Sequence, residues 1–240
     1  MIIGINGYSG SGKDTVGAII QYIFAHQEEP LALPVEDMVT NMEEHGWFLE
    51  EHSGWEIMKF AGKLKDIAEH LTGIPIEKFE DQEFKKTNLG PEWDYQIDEF
   101  NTPTKMTIRD FLQKLGTDAL RDGLHPNVWV NALMADYHPT PDKTMDESFK
   151  DEFLTGSSEI HYALPNWIIT DVRFENEAKA VKDKGGIIIR VDRPGVKPIN
   201  DHPSEIGLDA WNFDYKIANA SDIFALAETV RSILNHNKLL

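Results

Sequence analysis

The chain of 240 residues contains no cysteine. Disulfide bonds, thiolate zinc sites and cysteine nucleophiles are therefore excluded. Basic residues are also scarce, because 23 lysines and arginines stand against 41 aspartates and glutamates, and the formal net charge is −18. A chain with this charge repels nucleic-acid backbones and anionic membrane surfaces. An anionic ligand must then be held by a local cluster of cations within a negative field.

Long apolar runs are absent as well. No stretch approaches the ~18–20 apolar residues of a membrane span, and the short apolar N-terminus lacks a charged leader and a cleavage site. We therefore expect a soluble, cytoplasmic protein that has neither a membrane nor a nucleic acid as a partner. The nine histidines are scattered without metal-site spacing, so we assign none of them to a metal.

The most informative stretch is the glycine-rich segment 7–15, which reads Gly-Tyr-Ser-Gly-Ser-Gly-Lys-Asp-Thr. The apolar residues 1–5 precede it, and apolar residues at helical spacing follow it between positions 16 and 24. This pattern predicts a buried strand, a glycine-rich turn and a helix with one apolar face.

Three residues of this segment, Gly7, Gly12 and Lys13, fit the phosphate-binding pattern G-x-x-x-x-G-K. Glycines allow the backbone angles that turn successive N–H groups inward, and the following helix adds unpaired N–H groups and the positive end of its dipole. Lys13 can then neutralise the β- and γ-phosphates of a nucleotide. We interpret the segment as a phosphate-binding loop rather than a strand–helix connection with a surface lysine.

Asp14 departs from the usual pattern, which has a serine or threonine here to bind Mg²⁺ through its hydroxyl. A carboxylate beside a triphosphate is repulsive unless a cation lies between them. Either Asp14 holds Mg²⁺, directly or through water, or Thr15 has another role and Asp14 turns away. A third interpretation is that Asp14 only favours the helix N-terminus. The residues alone leave these alternatives open.

Four further apolar segments predict strands that alternate with helices, at 57–61, 167–170, 187–191 and 215–218. Together with the first strand they predict a five-stranded, mostly parallel sheet with helices on both faces. This is the α/β class.

Three polar segments interrupt the alternation of strands and helices. They are rich in acidic residues, proline or glycine and lie at about 27–55, 80–105 and 138–164. The length of the chain fits one large domain better than two. We therefore predict a single domain over residues 1–240 with three excursions.

Two charged residues, Asp171 and Arg193, follow predicted strands directly. In open α/β sheets, ligands bind at the carboxyl ends of the strands, where the phosphate loop also lies. Asp171 is therefore interpreted as an acid near Mg²⁺ or near an acceptor sugar. The alternative is an ordinary helix cap.

Other cations are candidates for binding a second phosphate. Lys63 and Lys65 fall in the first turn of a predicted helix, where cations oppose the helix dipole. A bound anion would offset that conflict, and two solvated lysines are the alternative. Arg109 and Arg121 could each grip a phosphate, because a guanidinium forks onto two oxygens, or could pair with nearby acids.

Taken together, these residues resemble the bacteriophage deoxynucleoside monophosphate kinase family. The matching pieces keep their order along the whole chain, and Asp14 is itself part of the family's pattern. They are Gly12-Lys13-Asp14-Thr15, Phe60-Ala61-Gly62-x-Leu64-Lys65-Asp66, Leu112-Gln113-x-Leu115-Gly116-Thr117-Asp118, Trp129-Val130, Asp171-x-Arg173, Val191-x-Arg193-Pro194-Gly195, Asp201-His202 and Glu205-x-Gly207-Leu208.

The resemblance implies a P-loop kinase fold and a role in deoxynucleotide biosynthesis. The implied reaction is phosphoryl transfer from ATP to a deoxynucleoside 5′-monophosphate, with Mg²⁺, by a homodimer that works in the host cytoplasm if a phage encodes it. Carried over by position, the residues that hold ATP would be Gly10, Ser11, Gly12, Lys13, Asp14 and Thr15, with Asp14 as the metal ligand. Those around the monophosphate would be Lys65, Arg109, Gly116, Trp129, Asp171 and Arg173.

Phosphoryl transfer needs positioning and cancellation of charge more than it needs a base. We expect Lys13 and Mg²⁺ on the β,γ-phosphates, with Asp171 near the metal or the acceptor sugar. Arg173 and Arg193 would span the donor and acceptor phosphates. Lys65, Arg109 and Arg121 would fix the acceptor phosphate.

Two rival functions remain open from the residues. One is a P-loop kinase for another small acceptor, such as dephospho-coenzyme A or a nucleoside. The other is a non-catalytic nucleotide-binding assembly protein that keeps the loop as a relic. A nucleic-acid motor is disfavoured by the charge and the small size.

Overall fold

The computed structural model describes residues 1–28, 33–96, 103–141, 162–199 and 202–240. The strands in chain order are β1 (Ile2–Asn6), β2 (Trp55–Met58), β3 (Tyr95–Gln96), β4 (Pro103–Thr104), β5 (Thr140–Pro141), β6 (Tyr162–Ala163), β7 (Asn166–Ile169), β8 (Ile187–Asp192) and β9 (Tyr215–Ala218). The α-helices are α1 (Lys13–Glu28), α2 (Val35–Thr40), α3 (Met42–Ser53), α4 (Gly62–Thr72), α5 (Ile108–Gln113), α6 (Val128–Met134), α7 (Glu175–Asp183), α8 (Pro203–Ile206) and α9 (Ile223–His236). A π-helix spans Lys114–Asp122.

The chain divides into two compact units, which we call the sheet unit (Met1–Met58 with Ala135–Leu240) and the helical unit (Lys59–Met134). The organisation of the whole chain as a single domain stays a prediction. No helix within the described ranges is long and apolar enough to cross a membrane.

The sheet unit contains a five-stranded sheet in the order β2-β7-β1-β8-β9. Every neighbouring pair is parallel, so the predicted α/β class is confirmed. Most strands lie within about one residue of the predicted segments. The exception is β2, which begins two residues and ends three residues earlier than predicted. It ends early because the chain turns directly after it, where the N–H of Gly62 donates to the carbonyl of Lys59.

Both faces of the sheet are covered by helices. Successive residues of a strand point to opposite faces. Ile3 and Ile5 of β1 pack in the cluster that contains the apolar face of α1 and the buried face of α9. Gly4 lies between them and faces the other side of the sheet. A Cβ at this position would meet Ile188 of β8 and Val181 of α7. Helix α7 therefore covers the face opposite to α1.

Residues 33–55, which were predicted as part of an excursion, instead supply side chains to the main core. Val35, Met38 and Val39 of α2 and Leu49 of α3 are buried in the same cluster as α1. Helix α2 packs on the core because its three buried residues have the i, i+3, i+4 spacing of one helix face. Of the other two predicted excursions, residues 97–102 and 142–161 lie outside the described residues.

The helical unit packs α4 and α5 around a small core of Ala68, Phe79, Ile108 and Phe111. Thr107 and Asp110 form a complete capping box at the start of α5. Directly after α5 the chain continues as the π-helix, a rare form that is often found at functional sites.

Candidate functional site

The glycine-rich loop joins β1 to α1 in the sheet unit. Gly7, Gly10 and Gly12 have φ angles of 153°, 82° and 99°, in the region that side chains disfavour. At Gly12 a Cβ would also lie 2.5 Å from the Nδ2 atom of Asn219. Glycine is thus required at this position by both the backbone conformation and the available space.

The carbonyl groups of the loop are held by specific donors. The carbonyl of Tyr8 accepts hydrogen bonds from the N–H of Ser11 at 3.1 Å and from the Nζ atom of Lys13 at 3.0 Å. The Nδ2 atom of Asn219 donates to the carbonyl of Ser11 at 2.9 Å. The hydroxyl of Ser11 is buried and has no hydrogen-bond partner in the described part of the chain. A buried hydroxyl without a partner reduces stability, and a ligand oxygen would satisfy it.

The surroundings of Lys13 disfavour its charged ammonium form. Burial lowers the pKa of Lys13, and the nearby Arg173 guanidinium lowers it further. Asp14, Asp171 and Glu205 act in the opposite direction but do not restore the usual value. The protonated form of Lys13 is therefore destabilised in the folded protein, and a bound phosphate would offset that destabilisation.

Asp14 is exposed at the start of α1. It accepts a hydrogen bond from the hydroxyl of Thr170 at 2.8 Å. Thr170 follows β7 and directly precedes the buried Asp171. Both carboxylates raise the pKa of Lys13, so both lie near its ammonium. This donor set fits Mg²⁺, which is usually bound by one or two carboxylates, several waters and the substrate phosphates.

No cluster of three or more histidine, aspartate or glutamate side chains suited to a metal occurs within the described ranges. A metal held by the protein alone is therefore not indicated there. The alternative role of Asp171 as a helix cap also fails, because the N-cap residue of α7 is Phe174 and the side chain that caps this helix belongs to Glu177.

Arg173 lies just before α7, at the carboxyl edge of the sheet. Its backbone N–H donates to Glu177 at 2.8 Å, and its guanidinium lies 3.4 Å from the carboxylate of Glu205. The Glu205 side chain is 5% exposed while that of Arg173 is 41% exposed. The buried carboxylate therefore holds a guanidinium that remains partly accessible to solvent. Arg193 is exposed after β8 and makes no ion pair with any residue that the structure describes.

The structure therefore brings together four of the predicted site residues of the sheet unit, which are Lys13, Asp14, Asp171 and Arg173. No described contact joins Arg193 to them. Thr170 and Glu205 complete the cluster through their contacts with Asp14 and Arg173. The cluster combines two cations with three carboxylates beside the glycine-rich loop.

Sequence reasoning missed Arg190, which is 7% exposed in β8. Its NH1 group donates to Asn6 at 2.6 Å and its Nε atom to Asp192 at 2.8 Å. The guanidinium also lies 4.4 Å from the ring centre of Tyr8, whose hydroxyl donates to Asp209 at 2.8 Å. A single arginine within an otherwise apolar strand was the signal that could have identified it.

Asn219 was missed as well. It directly follows β9, the last predicted strand. The rule that singled out the residues after the other strands would have identified it.

In the helical unit, Lys65 is buried and forms an ion pair with Glu80. Lys59 lies 3.5 Å from the same carboxylate. Burial alone would raise the pKa of Glu80, but Lys59 and Lys65, with a further contribution from Lys85, hold it below its usual value. The alternative of a solvated lysine is therefore wrong for Lys65, and the anion that offsets its position in α4 is a side chain of the protein.

Three other candidates of this unit meet around the π-helix. Arg121 is 7% exposed, and its NH1 group donates to the carbonyl of Pro126 at 3.3 Å. Trp129 is buried and its indole N–H donates to the carbonyl of Gly116 at 2.9 Å. The alternative of an exposed arginine is thus wrong for Arg121. Arg109 lies on α5, where it donates to Gln82 at 2.9 Å.

Comparison with protein families gives an independent line of evidence. A family model described as "Deoxynucleotide monophosphate kinase" matches residues 44–230. The match covers most of the chain and begins after the phosphate loop, so the loop is a separate observation. Every motif of the resemblance except Gly12-Lys13-Asp14-Thr15 falls inside the matched range.

Curated viral proteins are also similar over most of the chain. A putative deoxynucleotide monophosphate kinase of Acanthamoeba polyphaga mimivirus is 28% identical over 232 residues, which cover 93% of this chain and 90% of that protein. A deoxynucleoside-5′-monophosphate kinase of Escherichia phage T5 is 24% identical over 259 aligned positions, with coverages of 92% and 90%. A deoxynucleotide monophosphate kinase of Enterobacteria phage T4 is 26% identical over 134 residues, covering 56% of this chain and 48% of that protein.

Proposed function

Because this chain belongs to the deoxynucleotide monophosphate kinase family, we propose that it transfers the terminal phosphoryl group of ATP to a deoxynucleoside 5′-monophosphate. Membership makes it a kinase that acts on nucleotides with ATP as co-substrate. The observation that carries the site assignment is the Lys13 ammonium. It lies at a glycine-rich loop, bonded to the neutral carbonyl of Tyr8, and its pKa is lowered by burial and by Arg173.

ATP binding belongs to the loop and the first turn of α1. The N–H groups of the first turn of a helix have no acceptor within the helix, and with the dipole they favour an anion. The buried hydroxyl of Ser11 offers a further donor. The residues that hold the phosphates of ATP in this proposal are Gly10, Ser11, Gly12, Lys13, Asp14 and Thr15.

Asp14 is the proposed ligand of Mg²⁺, directly or through water, with Asp171 close by. When bound, Mg²⁺ neutralises charge on the β- and γ-phosphates. Thr170 holds one carboxylate oxygen of Asp14 at 2.8 Å and so fixes the side chain toward the end of β7. Asp14 thus holds its carboxylate where a bound Mg²⁺ would balance the negative charge.

Arg173 is the proposed transition-state cation. As the bond to the β,γ-bridging oxygen breaks, negative charge builds up on that leaving oxygen, and a guanidinium near the transferring group stabilises it without reorganisation. Its bond to the largely buried Glu205 keeps the guanidinium oriented while leaving it partly exposed to a ligand. Arg193, exposed after β8, would join it only when both nucleotides are bound.

In the helical unit, Lys65, Arg109 and Arg121 are the proposed ligands of the acceptor monophosphate. Gly116 and Trp129 support this role indirectly, because the indole N–H of Trp129 is bonded to the carbonyl of Gly116 and fixes the π-helix that carries Arg121. The homodimer, the absence of nucleic-acid partners and a location in a host cytoplasm belong to the same proposal.

The proposal is tested by coupled ATP turnover with dAMP, dCMP, dGMP and dTMP supplied separately, beside dephospho-coenzyme A and a deoxynucleoside. We expect ADP release with at least one monophosphate and none with the other two acceptors. Turnover that requires dephospho-coenzyme A or a nucleoside would contradict the acceptor class. ATP binding without turnover on any acceptor would contradict catalysis itself.

A further inference from the structure

We propose that Asn219 is a positioning residue of the phosphate loop, which sets the orientation of the peptide between Ser11 and Gly12 and thereby the affinity for ATP. The inference rests on the proposed function only in that the loop binds ATP. It concerns a residue more than 200 positions away from the loop in the sequence, in a turn that follows the last strand of the sheet.

Asn219 is itself held firmly by the sheet. It directly follows β9, and its backbone N–H donates to the carbonyl of Asp192 at the end of β8, at 2.7 Å. Its side-chain Nδ2 atom donates to the carbonyl of Ser11 at 2.9 Å. The side chain of Asn219 therefore links the glycine-rich loop to the carboxyl ends of β8 and β9.

This hydrogen bond fixes more than one carbonyl. The peptide unit is planar, and its C=O and N–H groups point in opposite directions. When the carbonyl of Ser11 is held toward Asn219, the N–H of Gly12 must point away from it. A phosphate nest works only when the successive N–H groups converge on the anion. The carboxamide thus selects the peptide orientation in which Gly12 can contribute its N–H group.

Gly12 is the residue at which this selection is needed. Its φ angle is 99°, and glycine populates positive and negative φ about equally. A peptide next to a glycine can therefore rotate at little cost unless a partner holds it. The Nδ2 atom of Asn219 packs so closely on Gly12 that a Cβ there would lie 2.5 Å away. The same contact thus excludes any other residue at position 12 and restrains the one that is present.

The test compares the full-length wild type with Asn219→Ala and Asn219→Asp by calorimetric ATP binding without acceptor and by steady-state kinetics. We expect Asn219→Ala to raise the Kd for ATP by about five- to tenfold, the effect of one oriented hydrogen bond. Asn219→Asp should raise it further, because a carboxylate cannot donate to the Ser11 carbonyl and repels the phosphates. The KM for the monophosphate should stay within about twofold of the wild-type value.

Asn237→Ala is the matched control. The Nδ2 atom of Asn237 donates to the carbonyl of Ile233 at 2.7 Å, so this variant loses the same kind of hydrogen bond at the far end of α9. That helix has 14 residues and is about 21 Å long. We expect a similar change in Tm for both alanine variants but an altered ATP Kd for Asn219→Ala alone.

The outcomes separate this inference from the proposed function. An ATP Kd within about twofold of wild type in both Asn219 variants, with native folding by circular dichroism, would overturn the role of Asn219. Wild-type protein that binds ATP but phosphorylates no monophosphate would overturn the proposed function. The role of Asn219 would then still be decided by comparing the ATP Kd of the wild type with that of the two Asn219 variants. Wild-type protein that binds no ATP would overturn both.

Discussion

Two lysines, one in each unit, hold their charges in different ways. Lys13 in the sheet unit bonds to the neutral carbonyl of Tyr8, and burial and Arg173 lower its pKa. Lys65 in the helical unit pairs with the carboxylate of Glu80, whose pKa it helps to lower. The first cation is incompletely compensated and gains from an incoming anion. The second is already compensated, so a phosphate must compete with Glu80 for it.

The comparison shows that burial alone does not identify a lysine ready to bind a ligand. What matters is whether its nearest partner carries a full negative charge or only a dipole. Under the proposed function, the phosphates of ATP would relieve the destabilisation of the Lys13 ammonium, whereas the ammonium of Lys65 is already paired with a carboxylate of the protein. The three predictions below change one side of this comparison at a time.

The largest effect is expected from Lys13→Met. Removing the cation that neutralises the β,γ-phosphates should reduce kcat by about a hundredfold or more. Without nucleotide, however, the variant should be at least as stable as the wild type, with a Tm higher by up to about 4 °C, because the buried ammonium is no longer present. Coupled turnover and thermal unfolding with and without ATP measure the two effects.

Lys179→Met is the control for that change, because Lys179 is an exposed lysine on α7 that pairs with Asp183 at 2.8 Å. Lys179→Met should change neither kcat nor Tm. Near-normal turnover of Lys13→Met would show that the loop lysine is not the phosphate ligand. A fall in its Tm by more than about 3 °C would show that the ammonium stabilises the empty protein.

An intermediate effect is expected from Glu80→Gln. A glutamine can still accept a hydrogen bond from Lys65, but it no longer neutralises Lys59 and Lys65. If these lysines hold the acceptor phosphate, the KM for the monophosphate should fall by about two- to fivefold while the KM for ATP is unchanged. Steady-state kinetics at fixed saturating ATP measure this directly.

Glu83→Gln supplies the comparison within the same unit, because Glu83 pairs with Lys86 at 2.6 Å with both side chains exposed. Exposed pairs of this kind contribute little, so its kinetics should match the wild type. A higher KM for the monophosphate in Glu80→Gln would mean that the carboxylate serves the acceptor rather than competing with it.

The smallest effect is expected in the pH dependence of stability. The pKa of Lys13 is lowered in the folded protein from the ordinary 10.5, so between these two values the unfolded chain binds more protons than the folded chain. Stability therefore rises with pH across that window. The Tm of the wild type should approach that of Lys13→Met as pH rises from neutrality toward about 10, by about 2 °C.

Saturating ATP should remove this difference for the wild type, because the phosphates then compensate the ammonium. The Glu80 carboxylate has the opposite dependence. Its pKa is lowered from 4.5, so its contribution to stability is present above that value and is lost as the pH falls through the folded pKa. A wild-type stability that falls between neutral and alkaline pH relative to Lys13→Met would contradict the direction for Lys13.

The sequence was sufficient for the parts of the fold that depend on local pattern. The apolar run of β1, the glycines and the apolar face of α1 are adjacent in the chain, and their periodicity predicted the strand, loop and helix that the structure has. The same holds for β7, β8 and β9. Their segments are short and mostly apolar, and parallel strands in one sheet place their carboxyl ends at the same edge.

Contacts between distant residues could not be predicted in this way. The bond from Arg190 to Asn6 joins positions 184 apart, and that from Asn219 to Ser11 joins positions 208 apart. Polarity alone does not show which acid a lysine will meet, so the pairing of Lys65 with Glu80 was also missed. Tertiary packing decides these partners after the elements have formed.

The π-helix has a consequence for the spacing of side chains along the chain. In an α-helix, residues five positions apart are rotated by about 140° from each other, so Gly116 and Arg121 would face different directions. The i→i+5 hydrogen bonding of a π-helix stacks them instead, and both are buried. The segment therefore accommodates one residue more than an α-helical turn would: winding the same residues as an ordinary α-helix would rotate the guanidinium about 140° away from the glycine.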